Sequence, residues 1–235
     1  MERHYRNLFK YSFPKNFLRG KREMIDTFKA LLNKLIPSLF AKKKHMKIGL
    51  YGPPNSGKTS TANRICKDWL GEDVLMGTVS EIAHETREIQ TKENIHMKKK
   101  GKELTFNLID TPGIATKIDY EDFLKHKLNK KVAKERAKEA TKGVIEAIKW
   151  LDNMDCVIVV LDSTTNPYSQ VNITIIGNLA ARNIPVVIAA NKIDLKKANV
   201  KSIEAAFPQY PVIGISAEEG TNMEELYESI VKMVK

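Results

Sequence analysis

A lysine, a threonine and two aspartates in this chain have types and spacings suited to phosphate and metal chemistry. Lys58 and Thr59 close the stretch Gly52-Pro53-Pro54-Asn55-Ser56-Gly57-Lys58-Thr59, which reads G-x-x-x-x-G-K-T. Such glycines let successive backbone N–H groups point into one concavity. A helix that starts there adds partial positive charge, so a polyphosphate is the natural guest. Lys58 is expected to reach the β- and γ-phosphates and Thr59 to ligate Mg²⁺, with Asn55, Ser56, Gly57 and Ser60 lining the cradle. Asp110, in Asp110-Thr111-Pro112-Gly113, follows an apolar run and is placed to meet Mg²⁺ through a water. Gly113 lets the backbone approach the γ-phosphate and donate its N–H.

The second aspartate addresses a base. Guanine presents a ring N–H and an exocyclic amino group side by side, and one carboxylate accepts both; adenine lacks that pair. Asp194, in Asn191-Lys192-Ile193-Asp194, suits the role. The Lys192 stem can lie across the base, and the Asn191 amide can tie this loop to the phosphate cradle. Small residues at Ser216-Ala217 allow backbone N–H groups to approach the guanine carbonyl oxygen. A threonine hydroxyl that completes the metal shell only in the triphosphate state is expected between Met76 and Thr91. Thr78, Thr86 and Thr91 are the candidates, and Thr86 in His84-Glu85-Thr86-Arg87 is favoured. Lys58, Thr86 and Gly113 are thus the groups expected to act on the γ-phosphate.

These residues need strand ends to hold them. Apolar runs predict strands over 46–51, 94–99, 104–109, 156–161, 185–190 and 211–215. Helices are predicted over 58–70, within 119–152, and over 169–182, 198–206 and 221–234. Alternation of β and α implies a mostly parallel six-stranded sheet with helices on both faces. Lys100-Gly101-Lys102-Glu103 is too short for a crossover, so 94–99 and 104–109 are expected to form one antiparallel hairpin.

Composition bounds the rest. Hydrophobic residues are 42% of 235, enough for a sizeable core. The apolar runs are too short to span a bilayer, and no secretory h-region opens the chain, so the cytoplasm is the expected compartment. Cys66 and Cys156 read as small core residues. The net charge of +11 is uneven: residues 1–47 hold 13 Lys+Arg against 3 Asp+Glu. Two parts are therefore expected, a basic amphipathic extension over 1–45 and an α/β domain over 46–235.

In order and strand-end placement the motifs resemble the translation-factor-related GTPases, and within them the Era-like family, over residues 46–235. The resemblance rests on Gly52–Thr59, Asp110–Gly113, Asn191–Asp194 and Ser216-Ala217, with Glu85-Thr86-Arg87 as a looser match. It implies binding of GTP and GDP with Mg²⁺, GTP hydrolysis, and work in ribosome assembly or RNA modification. The chain ends soon after 221–234, so no C-terminal RNA-binding KH domain of the kind Era carries is expected. Where Ras-like GTPases have a water-orienting glutamine, this chain has Ile114, hydrophobic as in the Era-like group. Slow intrinsic hydrolysis is expected, accelerated by a cation or a partner. In related potassium-dependent GTPases an asparagine at the position of Asn55 helps hold K⁺ beside the phosphates; the alternative is an Asn55 that only hydrogen-bonds the loop backbone.

Three readings of residues 1–45 stand side by side. The segment is an arm for ribosomal RNA or a ribosomal subunit, with Lys and Arg on phosphates and aromatics on bases. It lies on an anionic membrane surface. Or the stripe Met24–Leu39 packs on its own protein. The basic stretch Lys125–Lys142 reads either as a solvated helix face or as an element that moves with the nucleotide. A nucleotide-dependent dimer is a further expected state. A GTP-dependent scaffold or membrane-surface switch with negligible catalysis is the alternative function.

Overall fold

The computed structural model describes residues 45–71, 74–77, 88–115 and 130–233. They belong to the compact unit His45–Lys235. The extension expected over 1–45 lies outside the described residues, His45 excepted, as do Thr78 and Thr86.

The elements run β1 (Met46–Tyr51), α1 (Lys58–Leu70), β2 (Gln90–Lys99), β3 (Lys102–Asp110), α2 (Lys130–Trp150), β4 (Cys156–Asp162), α3 (Gln170–Ala181), β5 (Val186–Asn191), α4 (Val200–Ala206), β6 (Val212–Gly214) and α5 (Met223–Met233). The six strands form one sheet in the order β2-β3-β1-β4-β5-β6. Every pairing is parallel except β2 with β3. Lys100 and Gly101 turn that hairpin, both at positive φ (48° and 74°), the two-residue turn whose twist matches the flanking strands.

The central strands show why the sheet is covered on both faces. In β4, Cys156, Ile158 and Val160 join one apolar cluster, and Val157, Val159 and Leu161 join the other. β5 divides likewise, with Val187 and Ala189 on one side and Val186, Ile188 and Ala190 on the other. Successive residues of a strand point to opposite faces, so a strand apolar at every position demands helices on both. α1 and α5 cover the first face through Ile65, Cys66, Leu226 and Ile230; α2, α3 and α4 cover the second through Ala147, Ile175, Leu179 and Ile203. Cys66 and Cys156 are free and buried, as core residues should be.

α3 is capped by Ser169, whose side chain accepts from the Asn172 N–H, and α4 by Asn199, which accepts from Ser202. Within α2, Lys131, Glu135, Lys138, Glu139 and Lys142 are exposed, so this part of the basic stretch is a solvated face. Among the described residues no helix is long and apolar enough to cross a membrane.

Candidate functional site

A parallel sheet gathers its strand C-termini along one edge, and loops leaving that edge can converge on a ligand. The loops after β1, β3, β5 and β6 carry the motifs read from the sequence.

The phosphate end is built by the first two. The loop 52–57 leaves β1 and enters α1 at Lys58. Lys58 is only 6% exposed, and its Nζ donates to Pro53 O at 2.8 Å, across the loop it closes. Burial pushes its ammonium down to about 8, while the Asp110 carboxylate pulls the other way. Thr59 Oγ1 donates to Asp110 Oδ2 at 2.7 Å. Asp110 is fully buried at the end of β3; burial pushes its carboxyl up, against Lys58 and the hydrogen bonds from Thr59 and the Thr111 backbone. Ser60 is half-buried in the first turn of α1. Asn55 is exposed, in the left-handed region at φ 58°.

The Asp110–Gly113 turn lies against the same loop. Thr111 Oγ1 donates to Leu50 O at 2.7 Å, and the Ile114 N–H donates to Gly52 O at 3.1 Å. A Cβ on Gly113 would stand 2.8 Å from Pro54 Cα, so only glycine permits this approach. Ile114 packs into the core under α2 and α3 and is 4% exposed. Of the three candidate threonines, Thr91 is an exposed residue of β2 opposite Ile109.

The donor chemistry fits a hard divalent cation. Asp110 Oδ1 and Ser56 Oγ are buried with no hydrogen-bond partner among the described residues. Native proteins rarely leave such atoms orphaned, and both belong to the phosphate end. A hydroxyl that donates to a carboxylate still presents oxygen lone pairs, and carboxylate and hydroxyl oxygens suit Mg²⁺. No cluster of three or more His, Cys, Asp or Glu that could hold a metal ion exists among the described residues.

The base end is held by its own hydrogen bonds. Asn191 Nδ2 donates to Ser56 O at 3.0 Å, and its Oδ1 accepts from the Ala217 N–H at 3.0 Å. One buried amide thus joins three loops, including the tie to the phosphate cradle anticipated from sequence. Gly57 (φ 94°) is what lets it in: a Cβ there would lie 2.1 Å from Asn191 Nδ2. Lys192, at φ 70°, donates from Nζ to Asp162 Oδ2 at 2.6 Å. Asp194 is exposed beyond β5, and Ser216 and Ala217 are buried after β6.

Three residues escaped the sequence reading. Asp162 ends β4 and grips Lys192 with one oxygen and the Thr164 N–H and hydroxyl (2.8 and 2.6 Å) with the other. Burial pushes its carboxyl up, but these bonds outweigh that and hold it below the usual carboxylate range. It closes a strand like Asp110 and Asn191, so the same strand-end logic could have found it. Arg64 of α1 bonds the carbonyls of Ala217 and Glu218, a long-range contact with no local signal. Gln90 begins β2 opposite Asp110, and its buried Oε1 has no partner among the described residues.

A glycine loop running from strand to helix, with Asp110 ending β3 and Asn191 to Asp194 leaving β5 of the same mostly parallel sheet, defines a P-loop GTPase fold. The chain belongs to the 50S ribosome-binding GTPase family, whose profile matches residues 47–192, more than half of it. It is 26% identical over 207 residues to GTPase Der of Ruegeria pomeroyi, covering 83% of this chain and 37% of that protein. The solved structure of Era with MgGDPNP and a 16S ribosomal RNA fragment matches at TM-score 0.61 and 22% identity, over 80% of this chain and 57% of that one. An Aquifex aeolicus Era variant bound to GDP and AlF4⁻ matches at TM-score 0.60 and 21% identity, over 80% and 56%. The chain therefore spans well under two thirds of the length of these relatives.

Proposed function

We propose that this chain binds GTP in the presence of Mg²⁺ and hydrolyses it to GDP and phosphate, as a switch serving the ribosome or another RNA. Family membership carries the reaction class. The joining of phosphate and base ends through Asn191 is the observation that supports a nucleotide across both. Lys58 and the N-terminus of α1 bring positive charge to the phosphates, where charge develops as the terminal P–O bond breaks. Asp194 accepts the two guanine donors, and Lys192, steered by Asp162, lies beside the base. Thr59 and Asp110 would hold Mg²⁺, which supplies charge neutralisation on the phosphate oxygens. Thr86, favoured from its sequence position alone, would supply a further hydroxyl to that shell in the triphosphate state.

Ile114, where Ras-like GTPases have a water-orienting glutamine, is packed into the core and brings no polar group to the site. Turnover is therefore slow until a cation or partner completes the site. Asn55, exposed at the loop tip, supports K⁺ as that cation. The ribosome as partner is supported by the basic segment 1–45 and by the family. Single-turnover GTP hydrolysis in K⁺ and in Na⁺, with Asn55→Ala alongside, tests the cation. Faster hydrolysis in K⁺, with the difference lost in Asn55→Ala, is expected; equal rates in both salts contradict it.

A further inference from the structure

We propose that Arg64, on the helix that starts at the phosphate cradle, is a positioning residue for base recognition: it orients the loop after β6 so that the Glu218 N–H reads the guanine carbonyl oxygen. The inference rests on the guanine-nucleotide reading above and assigns a residue and a backbone group within it.

The hydrogen bonds of the loop isolate one donor. The Ser216 N–H goes to Thr221 O, that of Ala217 to Asn191 Oδ1, that of Glu219 to Ser216 Oγ and that of Gly220 to Ser216 O. The remaining N–H of this run, that of Glu218, has no partner among the described residues. Ala217, one of the two small residues the sequence offered for this approach, spends its N–H on Asn191 instead.

Arg64 fixes the peptide that carries the remaining donor. Its Nε donates to Ala217 O at 3.0 Å, and its Nη2 donates to Glu218 O. The chain has no cis peptide among the described residues, so the Ala217 C=O and the Glu218 N–H lie on opposite sides of one planar unit. A guanidinium that draws the carbonyl toward α1 turns the N–H away from α1. A lysine cannot reproduce this, because only a planar fork presents two N–H groups to two neighbouring carbonyls in fixed geometry. The loop is shaped to admit the guanidinium: a Cβ on Gly220 would stand 3.1 Å from Arg64 Nη1. The same helix is tied to α5 by Tyr227 Oη donating to Asp68 Oδ2 at 2.6 Å, which holds the fork's backbone in register with the loop.

The test compares three probes by calorimetry: GDP, the 2-aminopurine riboside diphosphate that keeps the amino group but lacks the carbonyl oxygen and the ring N–H, and pyrophosphate. Only the change in the GDP-to-analogue ratio on altering Arg64, which does not touch Asp194, reports on the carbonyl contact. Native protein is expected to prefer GDP over the analogue. Arg64→Ala is expected to weaken GDP about tenfold, the size of one hydrogen bond to a base, and to leave the analogue and pyrophosphate within about twofold. Arg64→Lys should fall between, and its GDP-to-analogue ratio decides the matter should Arg64→Ala fail to fold. Equal weakening of all three probes, or an unchanged GDP-to-analogue ratio in the variants, overturns the assignment. Native protein that binds pyrophosphate but shows no preference for GDP instead overturns the guanine reading itself.

Discussion

The two ends of the site are finished to different degrees. At the base end, Asn191, Ser216, Asp162 and Arg64 form a hydrogen-bonded frame that leaves the Glu218 N–H as its one open backbone donor between Ser216 and Gly220 among the described residues. At the phosphate end, a buried lysine and a buried carboxylate sit with two oxygens, Asp110 Oδ1 and Ser56 Oγ, that have no partner among the described residues, and Lys58 is held well below its ordinary pKa. On the proposed function, one end is a template for the base, and the other is an electrostatic arrangement whose cost is relieved when phosphate and cation bind. Buried charge whose hydrogen bonds are only partly made is expensive in a low-dielectric interior, and ligand groups that complete them lower that cost.

Asn191→Ala should break the comparison most severely, because the amide belongs to both ends. It leaves Ser56 O and the Ala217 N–H unpaired, at about 1–2 kcal/mol each. A melting temperature lower by about 5–10 °C is expected, together with a loss of GDP affinity of about a hundredfold. A variant that melts like the native protein means the two ends are held together by something else.

Asp110→Asn should separate the ends. It removes the buried charge and keeps an acceptor for Thr59, so ligand-free protein should melt at the native temperature or above. The benefit of Mg²⁺ to GDP binding should vanish, so a GDP concentration that stabilises the native protein by about 2.7 kcal/mol, a hundred times its Kd, should stabilise the variant by less. Retained Mg²⁺ dependence in a calorimetric titration would show that Asp110 is not in the cation's surroundings.

Asp162→Asn has the smallest expected effect and a defined pH signature. The folded-state pKa of Asp162 is depressed, so its contribution is fully present above the unfolded carboxylate pKa and is lost as pH falls through the folded value. At neutral pH the variant should lose about 1 kcal/mol. Stability curves of the two proteins should converge as pH falls below about 4; curves that stay parallel would place the acid limb elsewhere.

How much of this could be read in advance follows the same division. The helix over Lys58–Leu70 and the hairpin at Lys100-Gly101 were legible because glycine, charge and apolar period all agreed. β2 begins at Gln90 rather than 94, since the register shifts between Lys92 and Ile95, with Asn94 at φ 58°, and an edge strand full of Lys and Glu carries little alternation. The motif residues were found because each sits just past an apolar strand. Arg64 was not, because a mid-helix arginine looks the same whether it meets solvent or a loop 153 residues away. Asp162 carries the strand-end signal but belongs to none of the four motifs.

The claim that the base end is a preformed guanine template is tested most directly by titrating GDP and ADP into the native protein and into Asp194→Asn. Asp194 is exposed and its replacement should leave the fold intact. GDP should bind the native protein at least a hundredfold more tightly than ADP, and Asp194→Asn should erase most of that ratio while leaving ADP unchanged. Equal affinities for GDP and ADP in the native protein, or an unaltered preference in the variant, would contradict the account.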